Sequence, residues 1–373
     1  MLKRFLALGA CLCVTMVLPA CGHIPTASSS DIASVSETVS AAEFDPAESG
    51  SVTDEPGINA KVTIPISYGG EGWETQEIGW IDGTKLLAVF EYQDRLRDRS
   101  DITEKSVVVY DMADRTERLV CTFRDKGWVG DIRADDNEVL ITSSEKLYSL
   151  PQADLTQITV SPYKGDDWRC NTFGGLYAGR DELGMVIRSG AGETIRVATK
   201  TEAYFFDGPQ WSPDGCYLLY NKYSGGVGHP VNKCIADREG RAVCEFAFPE
   251  TDNNTYWSND SRYIVAQVLD HPEGLLRLLD VEAGREIAAS PLPYVEHFRS
   301  ILDVHKSTTV CWRQEGKRQP GIVYTFDVLT GQKTDIVTLP QPCNVKFSPD
   351  GRMLAMLEWE NATEVRFFES SIK

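Results

Sequence analysis

The sequence predicts an all-β fold built from a repeated hairpin unit. The unit is clearest at Pro209–Tyr220, where an aromatic strand end is followed by a Ser-Pro-Asp-Gly turn and then by a strand of alternating large apolar residues. Pro213 and Asp214 favour the bend, and Gly215 can adopt the positive φ that the turn requires. Three further copies, the last two weaker, are Val345–Met356, Tyr256–Val265 and Gly79–Val89. Because an isolated hairpin is unstable, we expect the copies to pack into one domain.

This Trp/Phe-Ser-Pro-Asp-Gly hairpin resembles the WD40-like β-propeller repeat of the TolB type. The resemblance implies a ring of four-stranded blades around a central channel. In such repeats the first hairpin turn of each blade recurs about every 40 to 45 residues. The corresponding turns of this sequence lie near Asp82, Asp136, Asp181, Asp214, Asp260, His305 and Asp350. Seven turns predict seven blades, with six as the alternative, whereas the motif indicates no particular function because propellers have many.

Alternating apolar segments between these turns supply the strands of the first three blades. Blade one is predicted at 76–81, 85–92, 106–110 and 117–123, with a charged insertion at 93–101. Blade two begins near Trp128 and continues through 138–142, 146–150 and 156–160. Blade three is assigned 173–178, 183–188, 194–199 and 203–206. This third blade is short, and it leaves almost no room for loops.

The remaining blades follow the same pattern. Blade four contains the 209–220 hairpin, then 231–236 and 242–248; blade five contains 262–268, 275–281 and 286–290. Blade six is predicted at 297–303, 308–312, 322–328 and 334–339, and blade seven at 344–347, 353–359 and 363–368. Blade seven therefore lacks one strand, and an open sheet edge favours aggregation. The alternating segment 61–67 is predicted to complete it as the outer strand, where Pro65 is tolerated.

The N-terminal residues have the pattern of an export signal. Lys3 and Arg4 precede an apolar run, Phe5–Leu18, which is too short for a comfortable transmembrane helix. The following Leu-Pro-Ala-Cys resembles the bacterial lipobox, which implies lipidation of Cys21 and cleavage before it, although Pro19 is unusual there. An ordinary secretory signal is the alternative. The predicted domains are a lipoprotein signal at 1–20, a tether at 21–60 and the propeller at 61–373, in the bacterial cell envelope.

Charge and composition limit the classes of partner that the protein is expected to bind. Residues 22–60 contain seven acidic residues, no Lys or Arg and no periodic apolar face, which is typical of a disordered tether. Without the signal, 35 basic residues face 55 acidic ones, a net charge of −20. Such a protein repels phosphate backbones, so nucleic acid is not expected as a partner. We expect a monomer without a cofactor, attached to the membrane through Cys21.

Cysteine and histidine indicate neither a disulfide framework nor a metal site. Seven cysteines follow Cys21 at irregular spacing, and no Cys-x-x-Cys motif occurs. Cys234 and Cys244 flank a turn and could face each other across a hairpin, as unpaired thiols or as a disulfide. The five histidines show no metal-ligand spacing, so a zinc site is not expected. The Asp of each Ser-Pro-Asp-Gly turn is predicted to cap its own turn and not to bind calcium.

No catalytic motif is present. The sequence lacks the Gly-x-Ser-x-Gly elbow of α/β-hydrolases, and the Ser-Pro-Asp-Gly turns do not match the Ser-x-Asp-x-Gly box of sialidases. We therefore assign no catalytic residue. The expected function is a non-catalytic binding or scaffold module for a protein or an envelope glycan. The alternative is a glycan hydrolase or lyase that uses acidic residues around the central channel.

Recognition in propellers commonly uses the face formed by strand entrances and connecting loops. Aromatic and arginine side chains, which are enriched in binding surfaces, are predicted on this face. The candidates are Trp73, Arg95, Arg97, Arg99, Trp128, Trp168, His229, Tyr294, Arg313 and Arg318. For Trp128 and Trp168, the alternative is a structural role in which each side chain fills a gap between neighbouring blades.

Overall fold

The structure, a computed structural model, is a ring of seven antiparallel four-stranded sheets. It describes residues 60–68, 72–92, 102–126, 129–134, 137–143, 146–162, 171–173, 175–189, 192–224, 231–248, 253–268, 274–291, 301–314 and 320–370. These residues form 28 strands and, within those ranges, no helix. The predicted all-β fold with seven four-stranded blades is confirmed.

In the sheets of blades one to six, the strands follow one another in chain order. After β1 (Val62–Pro65), blade one contains β2 (Trp73–Trp80), β3 (Lys85–Tyr92), β4 (Ile102–Asp111) and β5 (Thr116–Lys126). Blade two contains β6 (Val129–Ala134), β7 (Glu138–Ser143), β8 (Lys146–Pro151) and β9 (Thr159–Pro162). Blade three contains β10 (Asn171–Phe173), β11 (Leu176–Asp181), β12 (Gly184–Ser189) and β13 (Thr194–Thr199).

Blades four to seven continue in the same order. Blade four contains β14 (Tyr204–Trp211), β15 (Tyr217–Ser224), β16 (Val231–Asp237) and β17 (Ala242–Phe248); blade five contains β18 (Asn253–Trp257), β19 (Tyr263–Val268), β20 (Leu275–Asp280) and β21 (Arg285–Pro291). Blade six contains β22 (Ile301–His305), β23 (Thr308–Gln314), β24 (Gly321–Asp327) and β25 (Lys333–Leu339). Blade seven contains β26 (Cys343–Phe347), β27 (Met353–Glu358) and β28 (Glu364–Glu369).

The prediction for blade three was displaced by one strand. Its first strand is β10, so the turn at Asp181 connects β11 to β12 and is the second hairpin of the blade. Of residues 203–206, assigned to blade three, 204–206 belong to β14 of blade four instead. The cause is the short first strand of only three residues, which carries no recognisable apolar alternation.

The N-terminal strand β1 lies at the outer edge of the sheet formed by β26, β27 and β28. It pairs antiparallel with β28, with Val62 opposite Phe367 and Pro65 opposite Glu364. Ile64 of this strand is 1 % exposed and packs in the core shared by blades seven and one. Strand β1 therefore contributes both backbone hydrogen bonds and buried apolar surface to the last sheet.

The core consists of apolar layers between neighbouring blades. Strands alternate side chains to opposite faces, and each face packs against the next sheet, so both faces are buried. One cluster joins blades one and two, and another joins blades seven and one, which closes the ring. The first strands of several neighbouring blades contact each other, including β2 with β6 and with β26. These first strands therefore surround the propeller axis.

The Ser-Pro-Asp-Gly turns are capped by their own aspartates, as predicted. The Asp214 carboxylate accepts hydrogen bonds from the Ser212 hydroxyl at 2.6 Å and from the Cys216 N–H at 2.9 Å. In blade seven, Asp350 repeats the bond to its serine at 2.6 Å. The turn glycines have φ of +64° and +70°, in the left-handed region that favours glycine.

Cys234 and Cys244 are free thiols that lie on opposite faces of their sheet. Cys244 is opposite Ile235 in the register, and Cys234 is opposite Glu245. Cys234 accordingly packs in the cluster with blade three, and Cys244 packs against the cluster with blade five. The two thiols, which the sequence allowed to face each other across the hairpin, are offset by one position in the register and are unpaired. Burial raises the pKa of the Cys244 thiol to about 11, so it is protonated at neutral pH.

Candidate functional site

Charged side chains occupy one repeated position in the first strands. This position immediately precedes a buried apolar residue near the end of the strand, such as Ile78, Ile132 or Phe347. Because first strands surround the axis, residues at this position lie around the central channel. The charged members are Glu77 in blade one, Asp131 in blade two, Asp303 in blade six and Lys346 in blade seven. They come from four consecutive blades of the ring.

The three acidic residues each follow an irregularity in the pairing between the first and second strands of their blades. The pairing shifts between Thr75 and Glu77, between Val129 and Asp131, and between Ile301 and Asp303. Each acidic residue is the first to pair again after an extra residue in its strand. Such β-bulges redirect side chains and often lie beside functional sites.

Lys346 is the positive centre of this group. Its Nζ lies 3.7 Å from Oε1 of Glu77, and the two side chains are 30 % and 18 % exposed. Burial by itself would lower the pKa of Lys346, but Glu77, Asp303 and Asp131 outweigh it and hold this pKa above its usual range. The lysine is therefore a permanent ammonium that neutralises part of the acidic group.

The acidic residues have different surroundings. Burial raises the pKa of Glu77, against the opposing effect of Lys346. Burial also raises the pKa of Asp303, although its Oδ2 accepts hydrogen bonds from the Phe347 N–H at 2.7 Å and from the Asn259 side chain at 3.3 Å. Asp131 is paired with Nε of Arg133 at 2.5 Å. Asp303 and Asp131 thus have further structural partners, whereas Glu77 is the acidic member that lines a cavity.

A cavity of about 490 Å³ adjoins Glu77 and Lys346. Five blades line it, namely blades one, four, five, six and seven. The lining combines amide, aromatic and charged side chains, and its polar and aromatic members are Asn221, Lys233, Asn254, Thr255, Tyr256, Asn344 and Trp359. Its volume is within the range of about 300 to 1,000 Å³ that is typical of small-molecule sites.

The Trp359 and Asn344 side chains are fixed to each other. The indole Nε1 of Trp359 donates to Oδ1 of Asn344 at 3.1 Å, and Nδ2 of Asn344 donates to the Thr75 carbonyl at 3.4 Å. The amide orientation is defined by these two partners. This wall of the cavity is therefore pre-organised by bonds between blades seven and one.

Lys233 lies at the opposite wall. It is 3 % exposed, and its Nζ donates to Oδ1 of Asn221 at 2.7 Å. Burial lowers the pKa of Lys233 to about 8. The cavity therefore has an ammonium paired with carboxylates on one side and an ammonium beside a neutral amide on the other.

The predicted binding-face residues fall mostly outside the described residues. Trp73 begins β2, and its ring meets that of Tyr92 edge-on with centroids 5.5 Å apart. Trp73 also packs against the core of blades seven and one, and Arg313 lies in β23. The candidates outside the described residues are Arg95, Arg97, Arg99, Trp128, Trp168, His229, Tyr294 and Arg318, together with Cys21, the predicted lipidation residue.

Sequence reasoning missed the cavity residues for a specific reason. Glu77, Asp131, Asp303 and Lys346 are separated by long stretches of sequence, and only the blade repeat aligns them. A signal was available in the position before a buried apolar residue near the end of the first strand, which is charged in four blades. Lys233 and Asn221 give no such signal, because they come from the second and third strands of blade four.

The described residues contain neither a cluster of potential metal ligands nor a helix able to span a membrane. Within those ranges, His, Cys, Asp and Glu form no group of three or more that could hold a metal ion. In the same part of the chain, no helix is long and apolar enough to cross a membrane.

Comparison with known proteins identifies the fold alone. No protein-family model matches the sequence, and no curated protein matches it. Among solved structures, the Cps50 (Swd1) β-propeller domain of Myceliophteria thermophila is 11% identical with a TM-score of 0.52, over 84% of this chain and 99% of that chain. The fold is that of the WD40-like β-propellers. The Pan2 WD40 domain of Neurospora crassa agrees, at 12% identity, a TM-score of 0.52, and coverage of 86% and 98%.

Proposed function

We propose that this propeller is a lipid-tethered, extracytoplasmic binding module of the bacterial cell envelope, and that its central cavity binds a glycan. The observation that carries the proposal is the polar cavity of about 490 Å³ in the ring of first strands. The WD40-like fold is consistent with a protein-binding scaffold as well. The cavity favours the glycan, because it is small, concave and lined by side chains suited to sugar hydroxyls.

Amides and aromatic rings support this ligand class. Each Asn side chain carries a donor and an acceptor, which matches a hydroxyl that both donates and accepts. Asn221, Asn254 and Asn344 provide three such groups, while Tyr256 and Trp359 provide apolar ring surface. A sugar ring has polar edges and apolar faces, so this combination accommodates both.

The tether and anchor belong to the same proposal. The Leu-Pro-Ala-Cys sequence supports lipidation at Cys21, and the acidic segment 22–60 supports a flexible tether. A flexible chain of this length spans roughly 30 to 40 Å, so the propeller can turn without docking on the bilayer. Cys21→Ser should abolish metabolic labelling with a radioactive fatty acid and release the protein from membranes. Continued membrane association of this variant would count against the anchor.

Glycan binding can be measured with the full chain on immobilised envelope polysaccharide. Asn254→Ala and Trp359→Ala should each weaken binding by about tenfold, as expected for a lost hydrogen bond or stacking surface. Tyr92→Ala is the matched control, because Tyr92 is an exposed aromatic residue outside the cavity lining. Unchanged binding by both cavity variants would refute the cavity as the glycan site. Retained capture of an envelope protein by these variants would favour a protein partner at another surface.

Glu77 is the observation that favours the enzymatic alternative. It lines the cavity, and its raised pKa is the property that a general acid needs. Its ion pair with Lys346 opposes this role, because the pair stabilises the ionised form. Release of reducing ends from the same polysaccharide should not be detected. If it is detected and Glu77→Gln abolishes it while binding persists, the protein is a hydrolase or lyase.

A further inference from the structure

Lys233 stands out among the buried lysines because it has little compensation for its charge. Within the described residues, Oδ1 of Asn221 is its hydrogen-bond partner, and an amide carries no net charge. Lys105 of blade one provides the contrast. Its side chain is fully buried, but Nζ lies 3.8 Å from Glu91 and donates to the Thr103 hydroxyl at 2.9 Å. A buried ammonium normally has such partners, because an unpaired charge in a protein interior is costly.

The sheet register directs Lys233 towards blade five and the cavity. Lys233 is opposite Asn221, two positions from the pair Ile235 and Leu219. Side chains two residues apart share one face of a sheet. Since Ile235 and Leu219 pack in the core shared with blade five, Lys233 and Asn221 face the same way. Both residues line the cavity, so the ammonium is buried from bulk solvent yet adjacent to the space a ligand would occupy.

The charges of the cavity differ from those of the whole protein. The chain carries a net charge of −18, but among the described residues the cavity lining contains one carboxylate, that of Glu77, and two ammonium groups. Lys346 is matched by Glu77 and by the nearby Asp303 and Asp131. Lys233 has no corresponding carboxylate among the groups that affect it within the described residues. The cavity is therefore locally suited to an anion at the Lys233 wall.

We infer that Lys233 forms a carboxylate subsite, and that the glycan bound in the cavity is an acidic one carrying a uronic-acid carboxylate. The ammonium would pair with the ligand carboxylate, while the Asn221 amide holds the lysine in place. This inference rests on the proposed glycan-binding function and names the ligand class. A hydrogen bond between charged partners explains why an otherwise costly buried ammonium is placed beside the cavity.

The test compares two glycosides that differ at one carbon, with acetate as a third probe. Methyl β-D-glucuronide carries a carboxylate where methyl β-D-glucoside carries a hydroxymethyl group, and acetate supplies the carboxylate alone. Binding of each to the full chain is measured by titration calorimetry and by the fluorescence of the tryptophans. The glucuronide should bind about tenfold more tightly than the glucoside, in line with a charge-assisted bond. Lys233→Met should remove that difference.

Two further variants make the test independent of folding. Lys222→Met is the matched control, because Lys222 is in the same blade, carries the same charge and pairs with Glu245 at 3.0 Å outside the cavity lining. It should not alter glucuronide binding. Asn221→Asp keeps Lys233 but gives it an internal carboxylate partner, so it should also abolish the preference for the glucuronide.

Each outcome decides between the inference and the function on which it rests. Equal binding of both glycosides, unaffected by Lys233→Met, overturns the carboxylate subsite and leaves glycan binding intact. Acetate binding that requires Lys233, without binding of either glycoside, supports the subsite and contradicts the glycan. Absence of binding for all three probes contradicts both.

Discussion

The indole Nε1 of Trp80 donates a hydrogen bond to the backbone carbonyl of Lys346, 3.1 Å away. Trp80 ends the first strand of blade one, whereas Lys346 lies in the first strand of blade seven, so this bond joins the first and last blades. Trp257 of blade five repeats the arrangement with the carbonyl of Gln210 in blade four, at 3.3 Å. In both cases the strand-ending tryptophan of one blade donates to the backbone of the first strand of the preceding blade.

The first prediction concerns this bond. Trp80→Phe and Trp257→Phe should each lower the free energy of unfolding by about 1 to 2 kcal/mol, because each loses one hydrogen bond and some packing volume. Urea unfolding of the full chain measures the effect. Trp312→Phe is the control, since Trp312 is equally buried at 8 % but has no indole hydrogen bond within the described residues. An equal loss in all three variants would attribute the effect to volume alone.

The second prediction concerns Lys346. Lys346→Met leaves Glu77, Asp303 and Asp131 without their shared ammonium, so it should lower the free energy of unfolding by about 3 to 5 kcal/mol at pH 7. A carboxyl whose pKa is higher in the folded state binds more protons there, and its stabilising effect is lost as pH rises through that pKa. The pKa values of Glu77 and Asp303 are already raised by burial, and losing Lys346 raises them further.

Stability of the Lys346→Met variant should therefore fall more steeply between pH 4 and pH 7 than that of the natural protein. Thermal unfolding across this range measures the difference. Adding Glu77→Gln to the variant removes one of the three carboxyls, so part of the stability at pH 7 should return. A destabilisation that is the same at every pH would mean that packing, and not charge, is responsible.

Local turn chemistry is the part of this fold that sequence reveals best. The Ser-Pro-Asp-Gly motif strongly favours one turn conformation. The hairpins around Asp214 and Asp350 and the number of blades could therefore be predicted. Blade three lacks that turn, and its first strand Asn171–Phe173 is too short for a periodic signal. The predicted strand assignment of this blade is therefore displaced by one strand. The acidic group around Lys346 depends on bulges after Thr75, Val129 and Ile301, which are properties of strand pairing and cannot be read from the local sequence.

The third prediction compares two glycines with the same backbone conformation. Gly331 and Gly351 both have φ of +70°. A Cβ at Gly331 would meet nothing within 4 Å, whereas one at Gly351 would lie 2.1 Å from Nε2 of the buried His305. Gly331→Ala should cost about 1 to 2 kcal/mol, the penalty for an L-residue in this conformation. Gly351→Ala should cost about 1 to 3 kcal/mol more because of overpacking, as measured by chemical unfolding. Similar losses for both would show that His305 moves aside freely.

The fourth prediction concerns strand β1. Deleting residues 61–67 removes the pairing with β28 and the buried Ile64, and should lower the melting temperature markedly. Deleting residues 22–55, which precede the described residues, should leave the melting temperature nearly unchanged. The comparison also reveals aggregation, because loss of β1 exposes an edge strand of the sheet. Equal stability of the two deletions would mean that the N-terminal strand does not close the propeller.

The last prediction tests whether Lys233 is kept at the expense of stability. Its pKa of about 8 lies below the 10.5 of an ordinary lysine, so between these values the unfolded chain binds a proton that the folded protein does not. The contribution of Lys233 to the free energy of unfolding therefore becomes more favourable as pH rises across that window. Below pH 8, the buried ammonium lowers the free energy of unfolding by about 3 kcal/mol. Lys233→Met should raise the free energy of unfolding at pH 7 by up to that amount, and its advantage should shrink towards pH 10.5. Lys222→Met, which removes an ammonium paired with Glu245, should show no gain. If Lys233→Met is destabilising at pH 7, the ammonium is already compensated in the folded protein, and a carboxylate ligand would not be needed to satisfy it.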